Sequence, residues 1–173
     1  QQAGPFDTDS GLIGIDNRCS GCITHMRSDI PGELKECNRA IKGFGGTRHY
    51  KVWTGTINWT WDDDDGVSPK FITPNSHCMP DGKARLLSPQ HWAQTMKGKD
   101  KIEGTGETTT ATTVTLFWNQ RKHKRTVPLD RDSTNVATFR LSPGYEKCHA
   151  YCQAAGIDHA QESEGDPLTV MDV

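Results

Sequence analysis

The sequence predicts an all-β class domain, mainly β with two short helices, and three observations carry that. Residues 51–61 alternate: Trp53, Ile57, Trp59 and Trp61 share one face with Gly55, and Thr54, Thr56, Asn58 and Thr60 occupy the other. A period of two is the mark of a half-buried strand. Other short apolar runs follow, each bounded by turn-forming residues. Only Ser88-Pro89 and Ser142-Pro143 read as helix starts, each an N-cap followed by a proline at the first helical position.

The elements follow in order. Residues 1–10 are polar and rich in Gly, Pro and Asp, a flexible lead-in. Leu12 to Ile15 is a short buried strand that delivers Asp16 at its end. Residues 28–37 contain Pro31, Gly32 and charges and read as a loop. Residues 40–47 set three glycines around Phe44, a mobile strand or hairpin tip. The tryptophan strand ends in Asp62-Asp63-Asp64-Asp65-Gly66, a hairpin turn, and Phe71-Ile72 returns as its partner. Residues 75–82 are turn-rich. Arg85-Leu86-Leu87 is a short strand, and the first helix runs from Ser88-Pro89 through Gln94. Residues 97–112 are Lys, Gly, Glu and Thr, an exposed loop. Residues 113–118, 125–129 and 136–141 are further strands. The second helix places Tyr145, Cys148, Cys152 and Ala155 on one face and stops at Gly156. An acidic polar tail fills 158–173.

Composition bounds the function. The chain has 173 residues, 33% of them hydrophobic, with 20 Lys+Arg against 22 Asp+Glu and a formal net charge of −2. No apolar run approaches the ~18 residues a membrane helix needs. Near-neutral charge argues against a dedicated nucleic-acid binder. Gln1 to Pro5 show no basic-then-apolar pattern, so no signal peptide is expected. The six cysteines, Cys19, Cys22, Cys37, Cys78, Cys148 and Cys152, read first as reduced thiols of a cytoplasmic protein, with secretion the lesser reading.

Several stretches occur in a specific order: IGIDNRCSGCITH (13–25), IKGFGGTR (41–48), TGTINW (54–59) and RLLSPQHWAQ (85–94). Weaker echoes are TLFWNQRKHKRTV (115–127) and NVATFRLSPGYEKCHAYC (135–152). Together they resemble the retropepsin-type aspartic protease of copia-type retrotransposon polyproteins, over about Phe6 to Gln153. The resemblance implies a closed β domain over 11–96; the loop 97–112 and a C-terminal β-hairpin and helix extension over 113–157 are a surplus that it does not explain. It implies a homodimeric endopeptidase acting on its own polyprotein, within a virus-like particle and without a cofactor. Each chain supplies one aspartate, and two carboxylates that close share a single proton. Asp16 falls on the catalytic position. Gly43, Phe44, Gly45 and Gly46 fall on the flap. Leu86, Leu87 and Ser88 fall on the segment that braces the active-site loop, with Asn17 as a bracing partner.

The family motif is Asp, then Ser or Thr, then Gly, whereas this chain has Asp16-Asn17-Arg18. Asn17 keeps a donor and an acceptor. Arg18 has a Cβ that would strain a position with positive φ, and its guanidinium beside the dyad would hold both carboxylates ionised. Asp9-Ser10-Gly11 spells the motif outright but has no apolar strand before it. A second reading is therefore an inactive retropepsin-like protein that works by self-assembly.

A third reading is a Cys/His metal-stabilised binding module. Cys19, Cys22 and His25, with Cys148, His149 and Cys152, have the spacing of metal ligands or of a disulfide pair, against the plainer reading of small core residues. Arg121, Lys122, Lys124 and Arg125, around His123 and beside Trp118, offer a patch for RNA phosphates, against a solvated hairpin tip. Asp62 to Gly66 lacks two ligands of a calcium loop, at Trp61 and Ile72. Trp53, Trp59 and Trp61 read as core or dimer packing.

Overall fold

The computed structural model describes residues 11–37, 51–132 and 134–142. Over these residues the protein is mainly β, as expected. A seven-stranded sheet has the order β10-β1-β6-β2-β5-β4-β3, and a three-stranded sheet the order β7-β8-β9. In the first, β1 is Leu12–Ile15, β2 Ile23–Thr24, β3 Lys35–Cys37, β4 Val52–Thr60, β5 Lys70–Cys78, β6 Arg85–Leu87 and β10 Thr138–Arg140. In the second, β7 is Gly106–Thr109, β8 Thr113–Trp118 and β9 His123–Pro128. A short helix, α1, spans Pro89–Gln94, and a 3-10 turn spans Arg27–Asp29.

The β4–β5 hairpin forms where alternation and the Asp-rich turn place it. Trp59 lies opposite Phe71 and Thr60 opposite Lys70. In the turn, the Asp63 carboxylate accepts from the backbone N–H of Asp65 and of Val67, at 2.9 and 2.8 Å. Gly66 takes φ +87°, a conformation costly for residues with a Cβ.

Several expectations need correction. The loop expected over 28–37 ends in β3, which pairs with β4, Lys35 opposite Thr54. The turn predicted over 75–82 begins later, because β5 runs on to Cys78. Asn75 adopts φ +58° and Ser76 Oγ donates to the Thr73 carbonyl, so the strand kinks there and resumes. It can then pair in parallel with β2, His77 opposite Ile23. Residues 97–112 are not a plain exposed loop. They hold a π-helical turn over Asp100–Gly104 and the strand β7. The buried Asp100 carboxylate accepts from Gln120 N and Gln120 Nε2 at 2.6 and 2.7 Å, anchoring the turn. The Thr-rich run then pairs with β8, a composition suited to a strand.

One core serves the whole described chain. Trp61 stacks on Phe71 at 4.1 Å between ring centroids and meets the edges or faces of Trp92, Trp118 and Phe139 at 5.5–6.3 Å. These rings come from β5, α1, β8, β10 and the end of β4. Residues 113–142, expected to be part of an extension, therefore complete the core of residues 11–96. β10 also pairs with β1, Leu12 opposite Arg140. The expected flap (Gly43 to Gly46), the second helix with Cys148, His149 and Cys152, the lead-in with Asp9, and the tail lie outside the described residues.

Candidate functional site

Asp16 directly follows β1, and the order of strands decides how its loop is shaped. β1 and β2 are consecutive in sequence, yet β6 lies between them, parallel to β1 and antiparallel to β2. Residues 16–22 therefore bridge across the end of β6. Asp16 N donates to the Leu87 carbonyl at 3.0 Å, which continues the β1–β6 ladder to the aspartate itself.

The residues after β6 close on this loop. Ser88 caps α1, its Oγ accepting from His91 N at 3.3 Å, and the same hydroxyl donates to the Cys19 carbonyl at 2.7 Å. The Gln90 amide donates to the carbonyls of Asn17 and Cys19 at 3.0 and 2.7 Å. His91 Nδ1 accepts from Cys22 N at 3.0 Å, which leaves the ring proton on Nε2, 3.0 Å from the Pro74 carbonyl. Burial holds the His91 imidazole below its ordinary value, partly offset by that carbonyl. α1 thus ties the Asp16 loop to β5.

The loop also satisfies its own aspartate. Asp16 Oδ1 accepts from Arg18 N at 2.9 Å, and Oδ2 accepts from Cys19 Sγ at 3.4 Å. Arg18 does not take a positive φ, so the strain expected from replacing glycine there is absent. It contributes a main-chain N–H to the carboxylate. Asn17 is exposed, and its side chain donates to Glu107 on β7 at 3.5 Å. Burial pushes Glu107 above the usual carboxylate range, partly countered by Asn17.

Beside the loop is an open cleft of about 710 Å³. Ser20 and Gly21 form one wall, Thr54 and His77 another, and His91 and Gln94 of α1 a third. Cys37, the last described residue before 38–50, also lines it.

Among the described residues the other candidates do not converge. Cys22 Sγ is buried and donates to the Ser88 carbonyl at 3.8 Å, while Cys19 Sγ faces Asp16. Cys19, Cys22 and Cys78 are free thiols. Among the described residues no three His, Cys, Asp or Glu side chains are placed to hold a metal. Burial, then the Ser88 carbonyl and Cys19, set the Cys22 thiol at about 12, the behaviour of a packed core residue. The basic run lies at the β8–β9 turn. Arg121 sits 4.6 Å over the Phe117 ring and donates to the Glu103 carbonyl, and Arg125 donates to the Asp62 carbonyl. Both guanidinium groups are thus engaged within the fold, while Lys122 and Lys124 are exposed.

Gln90, His91 and Glu107 were missed in the sequence. The first two had a signal: an N-cap at Ser88 turns the first residues of the helix back toward whatever precedes it. Glu107 had none, because its strand was not recognised. Also missed was a buried cluster beneath the sheet. Asp29 accepts from Arg85 Nε at 2.7 Å, Thr24 Oγ1 at 2.5 Å and Trp59 Nε1 at 3.0 Å.

Comparison with protein-family models, curated proteins and solved structures finds no match. Among the described residues no helix is long and apolar enough to cross a membrane.

Proposed function

We propose that the chain is the protease domain of a copia-type retroelement polyprotein, an aspartic endopeptidase in which two copies each supply Asp16. The observation that carries this reading is the insertion of β6 between β1 and β2. It fixes the Asp16 loop from both sides and leaves the aspartate half-exposed at the mouth of a braced turn. Such a carboxylate can meet its counterpart from a second chain. Two carboxylates in contact share one proton. The ionised one takes a proton from water, and the protonated one donates to the scissile carbonyl oxygen. The neighbouring cleft, lined by hydroxyl, amide and imidazole groups, has room for an extended peptide. Arg18 supports the reading through its main-chain N–H, which does for Asp16 what the backbone of a glycine would do.

The test joins assembly to activity. Sedimentation gives the oligomeric state, and peptides spanning junctions of its own polyprotein are assayed between acidic and neutral pH. Cleavage is expected at acidic pH from a dimer, falling by at least about 10²-fold in Asp16→Asn, the scale of a lost general acid–base group. Cleavage that survives Asp16→Asn, or a monomer inert at every pH, overturns the proposal.

A further inference from the structure

We propose that Cys19 is a positioning residue for Asp16, its thiol fixing the orientation of the reactive carboxylate. This rests on the endopeptidase reading for its consequence, though the contact itself stands apart from it. Asp16 has one carboxylate oxygen on Arg18 N and the other on Cys19 Sγ. The first is a main-chain donor that no side-chain change removes. The second is a side chain, so it is the adjustable member of the pair.

The thiol is well suited to this part. Its own main chain is held on both faces: Cys19 N donates to the Asp16 carbonyl at 3.3 Å, and the Cys19 carbonyl accepts from Ser88 Oγ and Gln90 Nε2. The sulfur is therefore presented to Asp16 by a fixed backbone. Burial, with the charge and hydrogen bond of Asp16, raises the thiol to about 11. It stays protonated, and hence a donor, across the whole range in which an aspartic endopeptidase works. The same shift makes it a poor nucleophile, so the proposal concerns orientation and involves no covalent step. With both oxygens held, the carboxylate plane is fixed relative to β1 and hence to a second copy across a dimer axis. Small errors in such placement reduce turnover more than binding.

Two measurements on the full chain decide it. The first needs no activity: Cys19 alkylation by iodoacetamide is followed against pH by peptide mapping, in the wild type and in Asp16→Asn. The wild-type thiol is expected to titrate near 11 and to titrate lower in Asp16→Asn, where the charge and hydrogen bond of Asp16 are gone, while burial, the larger cause, still holds it above an ordinary thiol. Identical profiles overturn the proposal. The second compares Cys19→Ala with Cys19→Ser on a cleaved peptide. Alanine is expected to lower kcat roughly 10- to 100-fold with KM unchanged, and serine, which keeps a donor, to restore most of it. Full activity in the alanine variant, or equal loss in both, overturns it. A wild type that cleaves nothing removes the endopeptidase reading, and the alkylation profiles alone then decide whether Cys19 positions Asp16.

Discussion

Asp29 and His91 respond to acid in different ways. Burial alone would raise the Asp29 carboxyl, but Arg85, Thr24 and Trp59 hydrogen-bond its ionised form and hold it below the usual carboxylate range. A depressed folded value contributes stability above the unfolded value, about 3.9, and loses it only as pH falls through the folded value. The Asp29–Arg85 pair therefore persists at mildly acidic pH. Removing one partner leaves a buried charge uncompensated, so Asp29→Ala is expected to lower stability by about 3–5 kcal/mol in urea unfolding. His91 has a folded value below its ordinary 6.5. The unfolded chain then binds the proton more readily, so the latch is fully stabilising above that value and is lost as pH falls through the folded one. Protonated Nδ1 can no longer accept from Cys22 N. Wild-type Tm should fall between pH 7 and pH 5, and His91→Gln should fall less steeply over the same interval. An equal slope in both would show that other groups set the acid sensitivity.

The segment from β6 into α1 does two tasks with few residues. Ser88 caps the helix and ties down the Cys19 carbonyl with one hydroxyl. Ser88→Ala should cost about 1–2 kcal/mol, the sum of a lost cap and a lost buried hydrogen bond. It should also speed backbone amide exchange at Cys19 and Cys22. This segment was legible in the sequence, since Ser-Pro at a helix start and three strand residues before it are strong local signals. β1, β4, β8 and the Asp-rich turn were legible for the same reason. The far end of β5 was not, because Pro74 and Asn75 suggest a turn and only pairing with β2 extends the strand past them. β7 was hidden in a Thr-, Gly- and Glu-rich run whose strand character comes from its neighbour, β8. Of the candidate site, the aspartate and Ser88 could be read along the chain. Cys19, three residues on from Asp16, was read as a metal or disulfide candidate, whereas the contacts of Gln90, His91 and Glu107 with the loop are made across the fold.

The aromatic cluster joins parts of the chain that composition separates. Trp118 of β8 and Phe139 of β10 close on Trp61 and Phe71, and Arg85 sits where a Cβ on Gly11 would land 1.5 Å from its Nη1. A minimal protomer of ~100 residues, within the ordinary domain range, is therefore not a natural cut of this chain. A version ending at Thr112 loses Val114, Leu116, Trp118, Val127 and Phe139 from the core and the β10 partner of β1. It should lack cooperative thermal unfolding and show poorly dispersed amide resonances. A well-folded truncation would mean that the core divides after all. Gly11→Ala forces the Arg85 side chain aside and should destabilise the full chain measurably in the same assay.

The position of β1 also sets when the site can exist. Both of its neighbours come from later in the chain, β6 from residues 85–87 and β10 from 138–140. As the polypeptide leaves the ribosome, Leu12–Ile15 has nothing to pair with for some seventy residues, and β2 cannot take its place beside β6 until then. Such long-range closure is slow relative to hairpin formation, so the β4–β5 hairpin forms first and the turn bearing Asp16 among the last. The turn that shapes Asp16 is therefore complete only once residues 138–140 have been made and paired.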